Sequence, residues 1–260
     1  GYPRTSSAPT AGGVSVNDLG HLTLSGSINI NSATYWMGTT TINGGATNVR
    51  NSFYLGSSNT AGVDTPTLNV ESGASFNVKT FLIISNKQPG TLNVNGGIIT
   101  TDSGGFITIG NYPLYAPCNG ILNLNSGEVH ARTNGLTIGT RGTVNVNGGL
   151  LDVIAGNTNV GRDLNIYGGD VKLLAGTHTI NSSGSNTLGI INISGGNLDV
   201  AGSLTIGAGT VNVNSGLMNF SAVGTLTING TSIVNIDGGS IVLMGDQTAA
   251  MGTYITNNVI

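Results

Sequence analysis

The sequence predicts an all-β fold, a three-sided parallel β-helix (β-solenoid) of about eight to ten coils. Three observations carry this expectation. One short phrase recurs along the chain: an apolar residue, Asn, an apolar residue, any residue, then a small pair ending in Gly. Each copy alternates apolar and polar residues, the period-two signature of a strand. The chain of 260 residues has 43 glycines and only 7% charged residues, against about a quarter charged in ordinary globular domains, which excludes a charged helical surface.

The phrase reads Leu68-Asn69-Val70, Leu92-Asn93-Val94, Leu122-Asn123-Leu124, Val144-Asn145-Val146, Leu164-Asn165-Ile166, Ile191-Asn192-Ile193, Val211-Asn212-Val213 and Val234-Asn235-Ile236, with central Asn residues 24, 30, 22, 20, 27, 20 and 23 positions apart. Degenerate copies lie upstream at Leu22-Thr23-Leu24 and Thr40-Thr41-Ile42. A second short strand follows each Gly corner (Phe76/Val78, Ile99/Thr101, Leu151/Val153, Val171/Leu173, Leu198/Val200, Met218/Phe220), and a third precedes the next copy (Ile107/Ile109, Leu136/Ile138, Leu204/Ile206, Leu226/Ile228). Three strands per 20 to 30 residues, repeated in one register, fit stacked coils better than a sandwich built on hairpins. Residues 1–16, with Pro3, Pro9, Gly12 and Gly13, read as an extended arm, and 17–260 as a single solenoid domain.

The Leu-Asn-Val-x-Gly-Gly phrase and Ser203-Leu204-Thr205-Ile206-Gly207 resemble the Gly/Asn-rich repeats of exported bacterial β-solenoids, among them autotransporter passengers and planctomycete or verrucomicrobial surface proteins. The stretch from Asp237-Gly238-Gly239 to Ala250-Met251 looks like the end of such a repeat region, and the likeness spans roughly residues 20–260. It implies a solenoid fold and export. That group includes adhesins, filaments, sugar binders and, in pectate-lyase-like enzymes, active sites built from clustered acids, Ca²⁺ and a basic residue.

Function is sought on outward columns. The first strand offers Asn69, Asn93, Asn123, Asn145, Asn165, Asn192, Asn212 and Asn235, which read first as an amide ladder that stiffens the sheet and, as the alternative, as a flat polar face that meets a sugar chain or another subunit. The second offers Asn77, Thr100, His130, Asp152, Lys172, Asp199 and Asn219, the one charged column. Asp152 and Asp199 fall two coils apart, about 9.6 Å at the strand spacing, too far to share a Ca²⁺ whose ligands lie at 2.3–2.6 Å. Lys172 stands between them, so a charge ladder is expected in place of a glycosidase pair. The third strand offers Thr108, Thr137, Asn159, Thr179, Thr205 and Thr227, with partial Thr-x-Thr pairs that resemble ice-binding solenoids.

Tyr112 and Tyr115, in the longest insertion, are candidates for contact with a sugar or a protein. Tyr35, Trp36, Phe53 and Tyr54 are expected to cover the amino-terminal coils. Val259 and Ile260 are candidates for end-to-end contact. The single cysteine, Cys118, forms no intrachain disulfide. A net charge of −3 gives no footprint for nucleic acid, and no apolar run approaches the ~18 residues of a membrane helix. The expectation is a non-enzymatic, extracellular or cell-surface structural or adhesive solenoid. It carries no catalytic residues, cofactor or metal, and it pairs head to tail with itself. Polysaccharide binding, as a module or an inactive lyase relative, is the alternative, and ice binding is a weaker one.

Overall fold

The structure is a computed structural model, and it describes residues 21–26, 28–30, 34–36, 38–56, 65–85, 88–102, 104–110, 119–180, 189–221, 224–229 and 231–244. In chain order the coils are built as follows. The first holds β1 (His21–Leu24), β2 (Ile28–Ile30) and β3 (Thr34–Trp36); the second β4 (Thr39–Ile42), β5 (Gly45–Val49) and β6 (Phe53–Leu55); the third β7 (Thr67–Glu71), β8 (Ala74–Val78) and β9 (Phe81–Ile84). The fourth and fifth hold β10 (Gly90–Thr101) with β11 (Phe106–Ile109), and β12 (Gly120–Ala131) with β13 (Gly135–Ile138). Then come β14 (Gly142–Val146), β15 (Leu150–Val153) and β16 (Asn157–Val160); β17 (Asp163–Ile166), β18 (Asp170–Leu173) and β19 (Thr177–Ile180); β20 (Ile190–Ile193), β21 (Asn197–Val200) and β22 (Ser203–Ile206). The last described are β23 (Thr210–Val213), β24 (Leu217–Phe220) and β25 (Thr225–Ile228), then β26 (Ile233–Ile236) and β27 (Ser240–Val242).

Every pairing is parallel, and each strand pairs with its equivalent one coil away: Asn123 with Asn145, His130 with Asp152, Thr137 with Asn159. The third face is a sheet of nine strands, within the expected eight to ten coils. The first and second faces form one 18-stranded sheet, because β10 and β12 run across the corner between them without a break. This differs from the three separate strands expected in every coil. The corner there is absorbed as register shifts around Val94, Asn95 and Ile98, with Gly96 and Gly127 at positive φ.

Alternation sends two side chains per strand inward, and stacking converts them into one continuous core from Leu24 to Val234. The fourth coil is typical: Leu92, Val94, Ile99, Ile107 and Ile109 are buried, together with Thr101. Phe53 does not cover an end. It is wholly buried and meets Phe76 edge-on, with centroids 5.0 Å apart and rings at 83°. Alternation explains this: Phe53 and Leu55 are the inward residues of β6, and Tyr54 between them faces out in register with Tyr35.

Tight stacking restricts what the corners accept. At Gly135 φ is +83° and an added Cβ would overlap the Asn157 carbonyl of the next coil. Gly73 has a similar φ, +77°, but open space around it.

Candidate functional site

The core leaves three outward faces, and each has its own chemistry. On the first, the central Asn of each phrase lies beside its equivalent, and the Nδ2 of each donates to the Oδ1 of the coil before. The distances are 2.9 Å from Asn93 to Asn69, from Asn123 to Asn93, from Asn145 to Asn123 and from Asn165 to Asn145. They are 2.8 Å from Asn192 to Asn165, 2.7 Å from Asn212 to Asn192 and 2.8 Å from Asn235 to Asn212. Asn69 closes the series on the Thr41 hydroxyl at 3.4 Å. A second, shorter ladder runs beside it, from Asn147 through Asn125 and Asn95 to the Glu71 carboxylate. It stops where Tyr167 takes the next position, half exposed.

The amide ladder expected from the sequence is therefore present, with Asn93, Asn123, Asn145 and Asn165 at its centre. The sequence pattern did not show that all the amides point the same way. Aligned amides polarise one another, strengthening each bond by about 10–30%.

On the second face the charged column has the expected register: His130, Asp152, Lys172, Asp199 and Asn219 lie side by side on successive coils. The ladder closes only in part. His130 Nε2 lies 2.8 Å from Glu128 Oε2, and Nδ1 lies 3.5 Å from Asp152 Oδ2. Lys172 has no carboxylate within 4 Å among the described residues, although Asp152 and Asp199 flank it in register. Its four-carbon stem lets the ammonium seek water. Asp152 Oδ1 is buried without a hydrogen-bond partner. No group of three or more His, Cys, Asp or Glu side chains among the described residues is arranged to hold a metal.

At the amino-terminal end of this face is a shallow open groove of about 450 Å³, lined by Asn48, Val49, Arg50, Asn77, Val78, Lys79 and Asp102. Arg50, Lys79, Asp102 and Arg132 each follow the second strand of their own coil, so stacking brings them into one column. Sequence reading missed this column. Its signal is position relative to the second strand, since intervals of 29, 23 and 30 residues show no period.

The third face changes character along the rod. Phe81 and Phe106 stack at 4.4 Å near its start. Beyond them Thr108, Thr137, Asn159, Thr179, Thr205 and Thr227 form one column, joined on the last coils by Thr177, Ser203 and Thr225. His178, between Thr177 and Thr179, points inward. It is wholly buried with both ring nitrogens unpartnered, and burial lowers its pKa below the usual 6.5. The strand alternation that put Thr179 outside was a sufficient signal for this. Tyr112, Tyr115, Val259, Ile260 and the 1–16 arm lie outside the described residues.

No family model matches the chain, and no curated protein matches it. Among solved structures, one similar chain is a TibC-catalysed hyper-glycosylated fragment of TibA, 14% identical over 90% of this chain and 95% of that one, with a TM-score of 0.29. A likeness this slight carries no argument; the fold rests on strand register and burial.

Proposed function

We propose that the chain is a non-catalytic structural or adhesive rod, displayed outside the cell, that associates end to end with further copies of itself. The observation that carries this reading is the last described coil. Ile236 occupies the inward position of Val213 and Ile193, both wholly buried, yet it is 44% exposed. Ile233, at the outward position of Thr210, adds a further apolar side chain, 50% exposed. Among the described residues β26 and β27 have no strand beyond them. An open parallel edge with apolar side chains is a template for another coil.

The ladder supports the same reading. Asn235 donates to Asn212, and its Oδ1 is the acceptor that a further coil would use. At the other end the column begins with the Thr23 and Thr41 hydroxyls; that of Thr41 accepts from Asn69, and a hydroxyl can donate as well. A contact between two unlike ends does not close on itself and propagates. The low charge, 7% of residues, leaves little repulsion to oppose it. The surface of amides, hydroxyls and glycine, with one cysteine in the chain, suits an exported protein.

Sedimentation velocity over a concentration series, with negative-stain imaging, tests the reading. Concentration-dependent linear assemblies are expected, and Ile236→Lys is expected to leave folded single rods. Wild-type protein that stays monomeric at every concentration overturns it.

A further inference from the structure

We propose that the groove between Asn48, Asn77, Arg50 and Lys79 binds an anionic saccharide. The inference is independent of end-to-end association, because the groove lies on the side of the rod.

Arg50 and Lys79 stand on adjacent coils, about 4.8 Å apart at the strand spacing. Both are exposed, and neither has a carboxylate within 4 Å among the described residues, although Asp102 occupies the next coil of the same column. Two cations side by side, neither in a contact ion pair among the described residues, repel each other, and one anionic group between them relieves that repulsion. Arg presents a planar fork suited to a carboxylate or sulfate, and Lys adds a point charge.

The remaining lining narrows the ligand. Asn48 and Asn77, joined by a 2.8 Å amide bond, flank the cations on the strand side. Asn77, whose Nδ2 donates to Asn48, offers its own Oδ1 as an acceptor for a sugar hydroxyl. The Asp102 carboxylate accepts hydroxyl hydrogen bonds and repels any further anion. A ligand with one anionic group and several hydroxyls within a sugar's span fits this set. A uniformly charged polymer such as nucleic acid does not. Beyond Asp102 the same face mixes Arg132 and Lys172 with Glu128, Asp152, Asp170 and Asp199, so it gives a long polyanion no continuous positive track.

Isothermal titration with a short sulfated malto-oligosaccharide, an alginate oligosaccharide, the unsulfated malto-oligosaccharide and inorganic phosphate tests the proposal. Saturable binding of the sulfated or the carboxylated sugar is expected, and which one binds identifies the anionic group. Binding should weaken at raised salt, and the Arg50→Gln/Lys79→Gln double variant should lose roughly tenfold or more in affinity, the scale of lost charged hydrogen bonds. Both side chains are exposed, so an unchanged melting temperature certifies the fold; the Lys79→Gln single variant and the salt series make the same test separately. Absence of binding by both anionic sugars, or unchanged affinity in the double variant, overturns the site. Equal binding of the unsulfated sugar overturns its anionic character, and equal binding of phosphate overturns the saccharide.

Discussion

His178 and Thr158 are neighbours in register on adjacent coils of the core, and the Thr158 hydroxyl and both His178 ring nitrogens are buried without a hydrogen-bond partner. Two unsatisfied polar side chains at one level make this a weak point in an otherwise apolar stack, since each such group costs about 1–3 kcal/mol.

That weakness is pH-dependent. Burial lowers the His178 pKa below 6.5 in the folded state, so between the two values the unfolded chain binds the extra proton. Stability is fully present above pH 6.5 and falls as pH drops from there toward the folded value. Urea midpoints measured across this range should show the decline. His178→Leu, which matches Leu204 in the next coil, should remove this contribution and raise stability at neutral pH. A pH profile identical in the variant sinks the assignment.

Asn145→Ala cuts the amide ladder in its middle and costs two bonds, to Asn123 and from Asn165. At about 1 kcal/mol net for each, the loss should be about 2 kcal/mol. Asn235→Ala, at the end, breaks one ladder bond among the described residues and should cost about half as much. Chemical denaturation of the two variants in parallel measures the ratio.

Gly135→Ala and Gly73→Ala share a positive φ and differ in space. The Gly73 variant should lose only the left-handed backbone penalty of about 1–2 kcal/mol. The Gly135 variant must in addition push the Asn157 carbonyl away, opening the bond network between β13 and β16. Its melting temperature should fall well below that of the Gly73 variant; equal melting points would contradict the coil spacing described here.

Lys172→Gln should change stability by less than about 0.5 kcal/mol, because Lys172 stands in register with two aspartates without pairing to either. A larger loss would mean that the charge ladder closes in solution.

The Leu-Asn-Val phrase made the coil, its inward residues and the Asn ladder legible, because each depends only on alternation within a strand and on repetition. The groove was not legible. Arg50, Lys79 and Asp102 share a column only after coils of unequal length are stacked, and the intervening loops erase the interval. Phe53 reads in sequence as one cluster with its aromatic neighbours and so as an end cover, whereas alternation sends Phe53 into the core and Tyr54 out. The continuous strands β10 and β12 also escaped notice, since Gly96 and Gly127 mark a corner in sequence without interrupting backbone pairing.

Every amide of the long ladder carries its N–H toward the coil before and its C=O toward the coil after. Their dipoles therefore add along the long axis. The ladder is an electrical arrow, positive toward β4 and negative toward β26, and its direction is written in side chains. It should add to the permanent dipole of the rod, and electric birefringence with a reversed field pulse on dilute single rods should show a transient dip as the rods turn end for end.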